Sequence, residues 1–235
     1  MYARDVESYP EPLTFGVSGK LIMNVLVMYD RQTESYWSQM LGQAVEGELA
    51  GAKLTPLASL QTTWAQWKAM HPGTQALRKG YFGARDPYTT YFRSNEAGVL
   101  GETLADSRLP TKALGLGFRV QEQAAFFPYA ALIEAPLVNA VVAGEPVLVA
   151  FRGEDFTGAV FHRQVAGQTL TFTSHSEDAP QPLLSDAETG SVWRAFDGVA
   201  IAGPLAGTLL ERIPATSSFW FGWKDWYPDT YLYQP

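Results

Sequence analysis

The chain has 235 residues, of which 46% are hydrophobic and 13% aromatic, enough for one large or two small domains with sizeable cores. Its 24 acidic and 17 basic residues give a net charge of -7, and no cluster of Lys or Arg is present to neutralise phosphates, which argues against a nucleic-acid partner. No apolar run approaches the roughly 18 residues of a membrane span, and no signal-peptide pattern is found. The absence of cysteine excludes disulfides, thiol nucleophiles and cysteine-ligated metals from this chain.

The first segments favour β structure. Residues 13–17 and 21–29 are rich in β-branched and aromatic side chains, and the Ser18-Gly19 pair between them predicts a hairpin turn there. Glycines punctuate residues 42–51, which indicates turns or bulges, and residues 53–60 are predicted as another strand.

A short helix is predicted next. Thr63 and Gln66 have the spacing of a capping box, and Trp64, Trp67 and Lys68 share one helical face. A proline follows at position 72, so we expect the helix to end near residue 71.

Residues 80–142 form a predicted irregular bridge with no counterpart elsewhere in the chain. Its polar, turn-rich segments contain Asp86, Tyr88 and Arg108. A long loop of this kind is either a plain connector or a binding surface, and the sequence leaves both open.

The second half begins with a predicted strand pair. Residues 145–151 and 160–165 have strand composition, and residues 161–165 match residues 2–6 in type. The counterpart of residues 145–158 would lie before Met1. We therefore expect a truncated or naturally lost N-terminal strand, and an exposed sheet edge in the first half that is available for pairing.

An internal repeat supports this organisation. Residues 30–74 align without a gap on residues 186–230, and sixteen of the 45 aligned pairs are identical, including six of the seven tryptophans. The identical pairs are Asp30/Asp186, Thr33/Thr189, Ser35/Ser191, Trp37/Trp193, Gly42/Gly198, Ala44/Ala200, Gly47/Gly203, Leu49/Leu205, Ala50/Ala206, Gly51/Gly207, Leu54/Leu210, Trp64/Trp220, Trp67/Trp223, Lys68/Lys224, Pro72/Pro228 and Thr74/Thr230.

The repeat predicts an α+β fold, predominantly antiparallel β, in which two related β-β-β-α-β units pack with pseudo-twofold symmetry. The boundaries predicted for a single domain are 1–79 for the first copy, 80–142 for the bridge and 143–235 for the second copy. Residues shared by both copies are best explained as structural, because one fold used twice is commoner than two identical sites. The shared residues Asp30, Thr33 and Ser35 have the composition of a turn.

Residues outside the shared set are the better candidates for binding. Arg31 faces Ala187 in the alignment and has a guanidinium that suits a carboxylate or phosphate, although the sequence favours a surface position or a pairing with Glu34 over binding. With Asp86, Tyr88 and Arg108 it completes the predicted ligand-binding set.

Several catalytic and metal motifs are not met. The three histidines, at positions 71, 162 and 175, lack metal-ligand spacing, and the serine in the Gly16–Gly19 stretch fails the nucleophile-elbow pattern. We therefore predict no metal, no cofactor and no catalytic residue. The aromatic residues without a counterpart in the repeat could instead form a stacking platform for a sugar or another flat ligand.

The motifs TFGVSGKL, VMYDRQTESYWSQM, WAQWKAMHP, DPYTTY, DSRLPTK and FWFGWKDWYPDT occur in this order along the chain. In combination they resemble the family called domain of unknown function 3179. The resemblance implies an exported, extracytoplasmic protein and, for members with an upstream Cys-Pro-Leu-Cys-Gly-like motif, thiol or selenol redox chemistry. This chain carries neither that motif nor a signal.

Two functions follow as hypotheses. The first is a non-catalytic binding or structural domain, with a small molecule or a protein as its partner. The alternative is a thiol or selenol oxidoreductase whose cysteine segment is absent from this chain. Because the chain lacks cysteine, the sequence favours a protein without enzymatic activity in this form.

Overall fold

The computed structural model describes residues 1–78, 88–176 and 180–235. Within them, strands dominate and pair mostly antiparallel, and the helices are few and short, which confirms a β-rich α+β fold. The strands are β1 Phe15–Ile22, β2 Val25–Asp30, β3 Tyr36–Ser38, β4 Gln43–Glu46, β5 Leu114–Val120, β6 Gln123–Pro128, β7 Leu137–Val142, β8 Glu145–Arg152, β9 Thr157–His162, β10 Gln164–Val165, β11 Gln168–Thr169, β12 Phe172–Ser176, β13 Leu183–Asp186, β14 Val192–Arg194, β15 Ala200–Ala202, β16 Arg212–Ile213, β17 Ala215–Phe219 and β18 Tyr231–Leu232. The helices are α1 Trp64–Met70, α2 Thr89–Arg93, α3 Tyr129–Glu134 and α4 Trp220–Lys224.

The chain divides into two compact units. Unit 1 comprises Met1–Ser59, Glu96–Lys112 and Phe219–Asp229, and unit 2 comprises Leu60–Asn95, Ala113–Ser218 and Thr230–Pro235. Of the helices in the described part of the chain, none is long and apolar enough to cross a membrane.

Unit 1 is built on the four-stranded sheet β1-β2-β3-β4. The chain turns between β1 and β2 at Met23 and Asn24, which both have positive φ, as a two-residue turn of primed type requires. The predicted turn at Ser18 and Gly19 is therefore wrong. Both residues lie inside β1, where the register with β2 is irregular and the Ser18 hydroxyl donates to the carbonyl of Val27 at 2.5 Å.

The core of unit 1 surrounds Trp37, which is fully buried. Its neighbours come from the sheet and from the segments flanking it, namely Val6, Leu13, Ala44, Leu49 and Leu54. No strand covers residues 53–60 of the described chain; Lys53 and Pro56 make only isolated bridges, so that strand prediction is wrong.

Unit 2 has a central sheet in the order β16-β9-β8-β7 with an apolar cluster on each face. Alternate residues of β8 enter opposite clusters, because successive side chains of a strand point to opposite faces. Val147 and Val149 belong to one cluster with strands β5 and β6, and Leu148 and Ala150 belong to the other with strands β12 to β14. β8 and β9 confirm the strand pair predicted from the sequence.

The predicted helix is present as α1. The Thr63 hydroxyl accepts from the backbone N–H of Gln66 at 3.3 Å, and the helix ends at Met70 with His71 as its C-cap residue, near the position predicted from the proline. The bridge is less irregular than expected, since β5, β6, α3 and β7 all lie within residues 113–142.

The Asp30 turn in unit 1 is closed by side-chain hydrogen bonds. The Asp30 carboxylate accepts from the indole of Trp37 at 2.9 Å and from the backbone N–H of Thr33 at 2.6 Å. The Ser35 hydroxyl lies 2.8 Å from that of Thr33 and accepts from the backbone N–H of Leu49 at 3.0 Å. The turn thus fixes a buried tryptophan and the chain entering the following loop.

The Asp186 turn in unit 2 is closed by its own set of bonds. The carboxylate accepts from the indole of Trp193 at 2.8 Å and from the backbone N–H of Thr189 at 2.6 Å. The Ser191 hydroxyl lies 2.7 Å from that of Thr189 and accepts from the backbone N–H of Leu205 at 3.0 Å.

Candidate ligand site

Residues 96–112 of unit 1 contain neither helix nor strand, and we call them the tethered loop. An open depression of about 560 Å³ is lined, among the described residues, by Glu102 and residues 105–111 of this loop. A loop of this length without secondary structure is usually either functional or disordered. Fixed side chains in the loop therefore favour a functional loop over a disordered one.

Arg108 is held on three sides. Its guanidinium donates to both carboxylate oxygens of Asp106, with the shortest distance 2.7 Å, and to the carbonyl of Pro228 at 2.9 Å. The same group lies over the ring of Trp220, 5.1 Å from its centroid. A guanidinium that is both paired and stacked in this way has little rotamer freedom left, so Arg108 is a rigid part of the lining of the depression.

A buried charge cluster anchors the middle of the tethered loop. Lys224 at the end of α4 is fully buried, and its ammonium lies 3.1 Å from a carboxylate oxygen of Glu102 and 3.1 Å from one of Asp225. The Asp225 carboxylate also accepts from the backbone N–H groups of Thr103 at 2.9 Å and Leu104 at 3.0 Å. A buried cation is tolerated here because two carboxylates and a backbone carbonyl, that of Leu104, surround it.

The first part of the tethered loop is fixed by Asn24. Its side-chain oxygen accepts from the backbone N–H of Leu100 at 2.7 Å, and its amide nitrogen donates to the carbonyl of Gly101 at 2.6 Å. Gly98 has a positive φ, and a Cβ there would collide with the Asn24 side chain. The position therefore requires glycine.

Electrostatics keep the carboxylates ionised. The hydrogen bond from Thr111, assisted by the Lys224 ammonium, holds the pKa of Glu102 below its ordinary value. The Arg108 guanidinium lowers the pKa of Asp106 in the same way. For Asp225, burial acts to raise the pKa, but the two backbone N–H groups and Lys224 outweigh it, so its pKa is lowered.

The ligand-binding residues predicted from the sequence are dispersed. Arg108 lines the depression. Arg31 is exposed on unit 1, donates to the carbonyl of Phe15 and lies over the ring of Tyr29. Tyr88, 62% exposed, precedes α2 in unit 2. Asp86 lies outside the described residues.

The sequence reasoning missed the residues that hold the site together. Lys224 was grouped with Lys68 as a shared structural residue, and Glu102, Asp106 and Asp225 were not singled out. The available signal was the polar spacing of Glu102, Asp106 and Arg108 inside a segment with no predicted element. In the described part of the chain, no group of three His, Asp or Glu side chains is placed to hold a metal ion.

A family model described as "Protein of unknown function (DUF3179)" matches residues 1–230. The chain belongs to this family. No curated protein and no solved structure matches the chain. Within this DUF3179 chain, the DSRLPTK segment forms most of the wall of the depression, and the WKD sequence at residues 223–225 anchors it.

Proposed function

We propose that this DUF3179 chain is a non-catalytic binding domain whose site is the depression in the tethered loop. The observation that carries the proposal is that a long loop without helix or strand is fixed at three places along its length. Asn24 ties the first part, Asp225 and Lys224 tie the middle, and Asp106 with Pro228 fixes Arg108. Pre-organised polar groups reduce the entropy lost on binding.

We infer a neutral, hydroxyl-rich ligand such as a sugar. The charged residues among those that line the depression are the carboxylates of Glu102 and Asp106 and the guanidinium of Arg108. This excess of negative charge disfavours an anion. The ionised Asp106 carboxylate beside the Arg108 guanidinium offers acceptors and donors that match neighbouring hydroxyl groups.

We also propose that the scaffold arose by duplication, with the shared residues structural. Support comes from the Asp30 and Asp186 turns, whose hydrogen bonds agree pair by pair, and from the two aromatic contacts beside them. The Phe15 and Trp37 rings are 5.6 Å apart at 86°, and those of Phe172 and Trp193 are 5.8 Å apart at 82°. The residues that line the proposed ligand site belong to none of the shared pairs, whereas the shared residues Trp220, Lys224 and Pro228 hold the tethered loop in place.

Isothermal titration calorimetry tests the ligand class. The wild-type protein is titrated with glucose, galactose and N-acetylglucosamine, and with acetate, citrate and phosphate for comparison. We expect binding by at least one sugar and none by the anions. Sugar binding should weaken about tenfold or more in Arg108→Lys, because charge-assisted hydrogen bonds contribute about 1.5–3 kcal/mol.

Arg119→Lys is the matched control, since Arg119 forms an exposed ion pair with Glu122 in unit 2. It should bind the sugar as the wild type does. Binding of phosphate or citrate in place of sugars contradicts the neutral ligand class. A wild-type protein that binds none of the six compounds supports the alternative of a purely structural domain.

A further inference from the structure

The first residues of unit 1 form a short strand edge. Tyr2 bridges Pro56 in antiparallel fashion, and the backbone N–H of Ala3 donates to the carbonyl of Thr55 at 2.9 Å. The opposite edge is different: among the described residues, the backbone N–H of Arg4 has no backbone acceptor. Hydrogen bonding is therefore complete on one side of this segment and incomplete on the other.

In unit 2, residues 161–165 resemble residues 2–6 of unit 1, and Phe161 has a paired strand on each side. Phe161 in β9 pairs with Arg212 of β16 on one side and with Leu148 of β8 on the other. Beyond the end of β9, the backbone N–H of Arg163 donates to the carbonyl of Pro146, at 3.1 Å. β8 thus occupies the edge that corresponds to the incomplete one in unit 1.

The segments at Tyr2 and at Phe161 correspond because they contact equivalent glycines. Tyr2 packs directly on Gly42, and Phe161 packs directly on Gly198, so neither glycine has room for a Cβ. These glycines occupy aligned positions of the internal repeat.

The arginines that follow also correspond. The Arg4 guanidinium lies 3.5 Å from the carbonyl of Leu13, and the Arg163 guanidinium donates to the carbonyl of Leu170 at 2.8 Å. In return, Leu13 and Leu170 donate their backbone N–H groups to the carbonyls of Arg4 and Arg163, at 2.9 and 2.8 Å.

The two segments differ in burial. Residues covered by β8 and β7 in unit 2 are buried, whereas the corresponding residues of unit 1 are half-buried or exposed. The buried residues are Phe161, Arg163 and Phe172, and their counterparts are Tyr2, Arg4 and Phe15.

A single strand is sufficient to complete this edge. In unit 2, the outer strand β7 reaches Phe172 through Asn139, whose side chain bonds the backbone N–H at 2.9 Å and the carbonyl at 2.8 Å. In unit 1, the Arg31 guanidinium already donates to the carbonyl of Phe15. The Phe15 carbonyl, which corresponds to the acceptor that β7 uses in unit 2, is thus already bonded to Arg31. No described strand of unit 1 occupies the position that corresponds to β8.

We propose that the edge at Tyr2, Ala3 and Arg4 accepts one extended apolar strand from a partner polypeptide, paired antiparallel as β8 is with β9. The main-chain hydrogen bonds supply affinity, and the half-buried rings of Tyr2 and Phe15 select apolar side chains. β8 itself, with sequence EPVLVAFR, is the example of such a strand.

The test uses a synthetic peptide with the β8 sequence, added to the intact protein and followed by hydrogen exchange of residues 1–6. We expect the peptide to slow exchange in this segment. A peptide with proline in place of its leucine should not, because the backbone N–H of that residue faces the paired strand and proline cannot donate to a ladder. Unchanged exchange at millimolar peptide, or equal protection by both peptides, would overturn the proposal.

Two variants separate the backbone from the side chain. Arg4→Pro removes the backbone N–H, and Arg4→Ala keeps it, so the peptide should bind Arg4→Pro about fivefold more weakly than Arg4→Ala. Equal affinities contradict the proposal. If Arg4→Pro does not fold, the two peptides on the wild-type protein still decide the question. Light scattering that shows a dimer, with residues 1–6 protected without peptide, would instead make a second copy the occupant and overturn the proposal.

Discussion

The Asp30 and Asp186 turns are alike in every hydrogen bond described above, whereas the helices α1 and α4 differ although they also share residues. Trp64 in α1 is 51% exposed, and its sequence counterpart Trp220 in α4 is fully buried. Lys68 is exposed, whereas Lys224 is fully buried among carboxylates.

The difference follows from where the partners of each element lie. The Asp–Trp bond of each turn joins residues seven positions apart, so the local sequence determines it. A helix face is buried only by segments that arrive from elsewhere in the chain. The tethered loop supplies those segments to α4 through Thr103, Leu104 and Arg108.

The largest expected effect tests the two helices. Trp220→Ala should lower the free energy of unfolding by about 4 kcal/mol, because it leaves a large cavity, and Trp64→Ala by less than about 1 kcal/mol. Chemical denaturation of both variants measures the difference. Equal losses would show that the two tryptophans have similar environments.

The next effect tests the two turns. Asp30→Ala and Asp186→Ala should each cost about 3 kcal/mol of unfolding free energy, since each leaves a buried indole N–H without its acceptor. The two costs should agree within about 0.5 kcal/mol in denaturant titrations. A large inequality would break the equivalence of the turns.

Part of the stabilisation that Asp30 and Asp186 contribute depends on pH, and this effect is smaller. Burial acts to raise the pKa of Asp30 and Asp186, but hydrogen bonds from the tryptophan and threonine of each turn outweigh it, so each folded-state pKa is lowered. Their stabilisation is complete above the unfolded-chain pKa of about 3.9 and is lost as pH falls through the folded-state pKa. Unfolding measured from pH 7 to pH 2 should show a shallower acid loss in Asp30→Asn and in Asp186→Asn. An unchanged slope would contradict the assigned direction.

The smallest effect concerns the shared serines. Ser35→Ala and Ser191→Ala each remove the acceptor for one backbone N–H, of Leu49 or Leu205, and should cost about 1 kcal/mol. Thermal unfolding of the two variants in parallel measures both. A loss confined to one serine would sharpen the comparison by locating where the turns differ.

The sequence was informative where interactions are local. The cap at Thr63, the end of α1 and the pair β8–β9 were predicted from spacing and composition and are confirmed. The β1–β2 turn was misplaced because Ser18-Gly19 has turn composition, whereas the actual turn places Met23, an unfavourable residue there, at positive φ.

The candidate site was only partly predictable. Arg108 was singled out because it lies in a polar segment of the bridge, but its contacts with Asp106, Pro228 and Trp220 were not predicted. Two of these lie more than a hundred positions away, and the burial of Lys224 depends on the same long-range contacts. A pattern shared by Lys68 and Lys224 cannot distinguish an exposed lysine from a buried one.

The central claim is that the shared turns support the fold while the tethered loop binds the ligand. A matched pair of serine variants, each studied by sugar titration and thermal unfolding, tests it most directly. Ser107→Ala, at an exposed position in the depression, should lose sugar affinity with an unchanged unfolding midpoint, and Ser191→Ala should lose stability with unchanged affinity. Sugar binding by Ser107→Ala at wild-type affinity, or a wild-type protein that binds no sugar, would contradict the account.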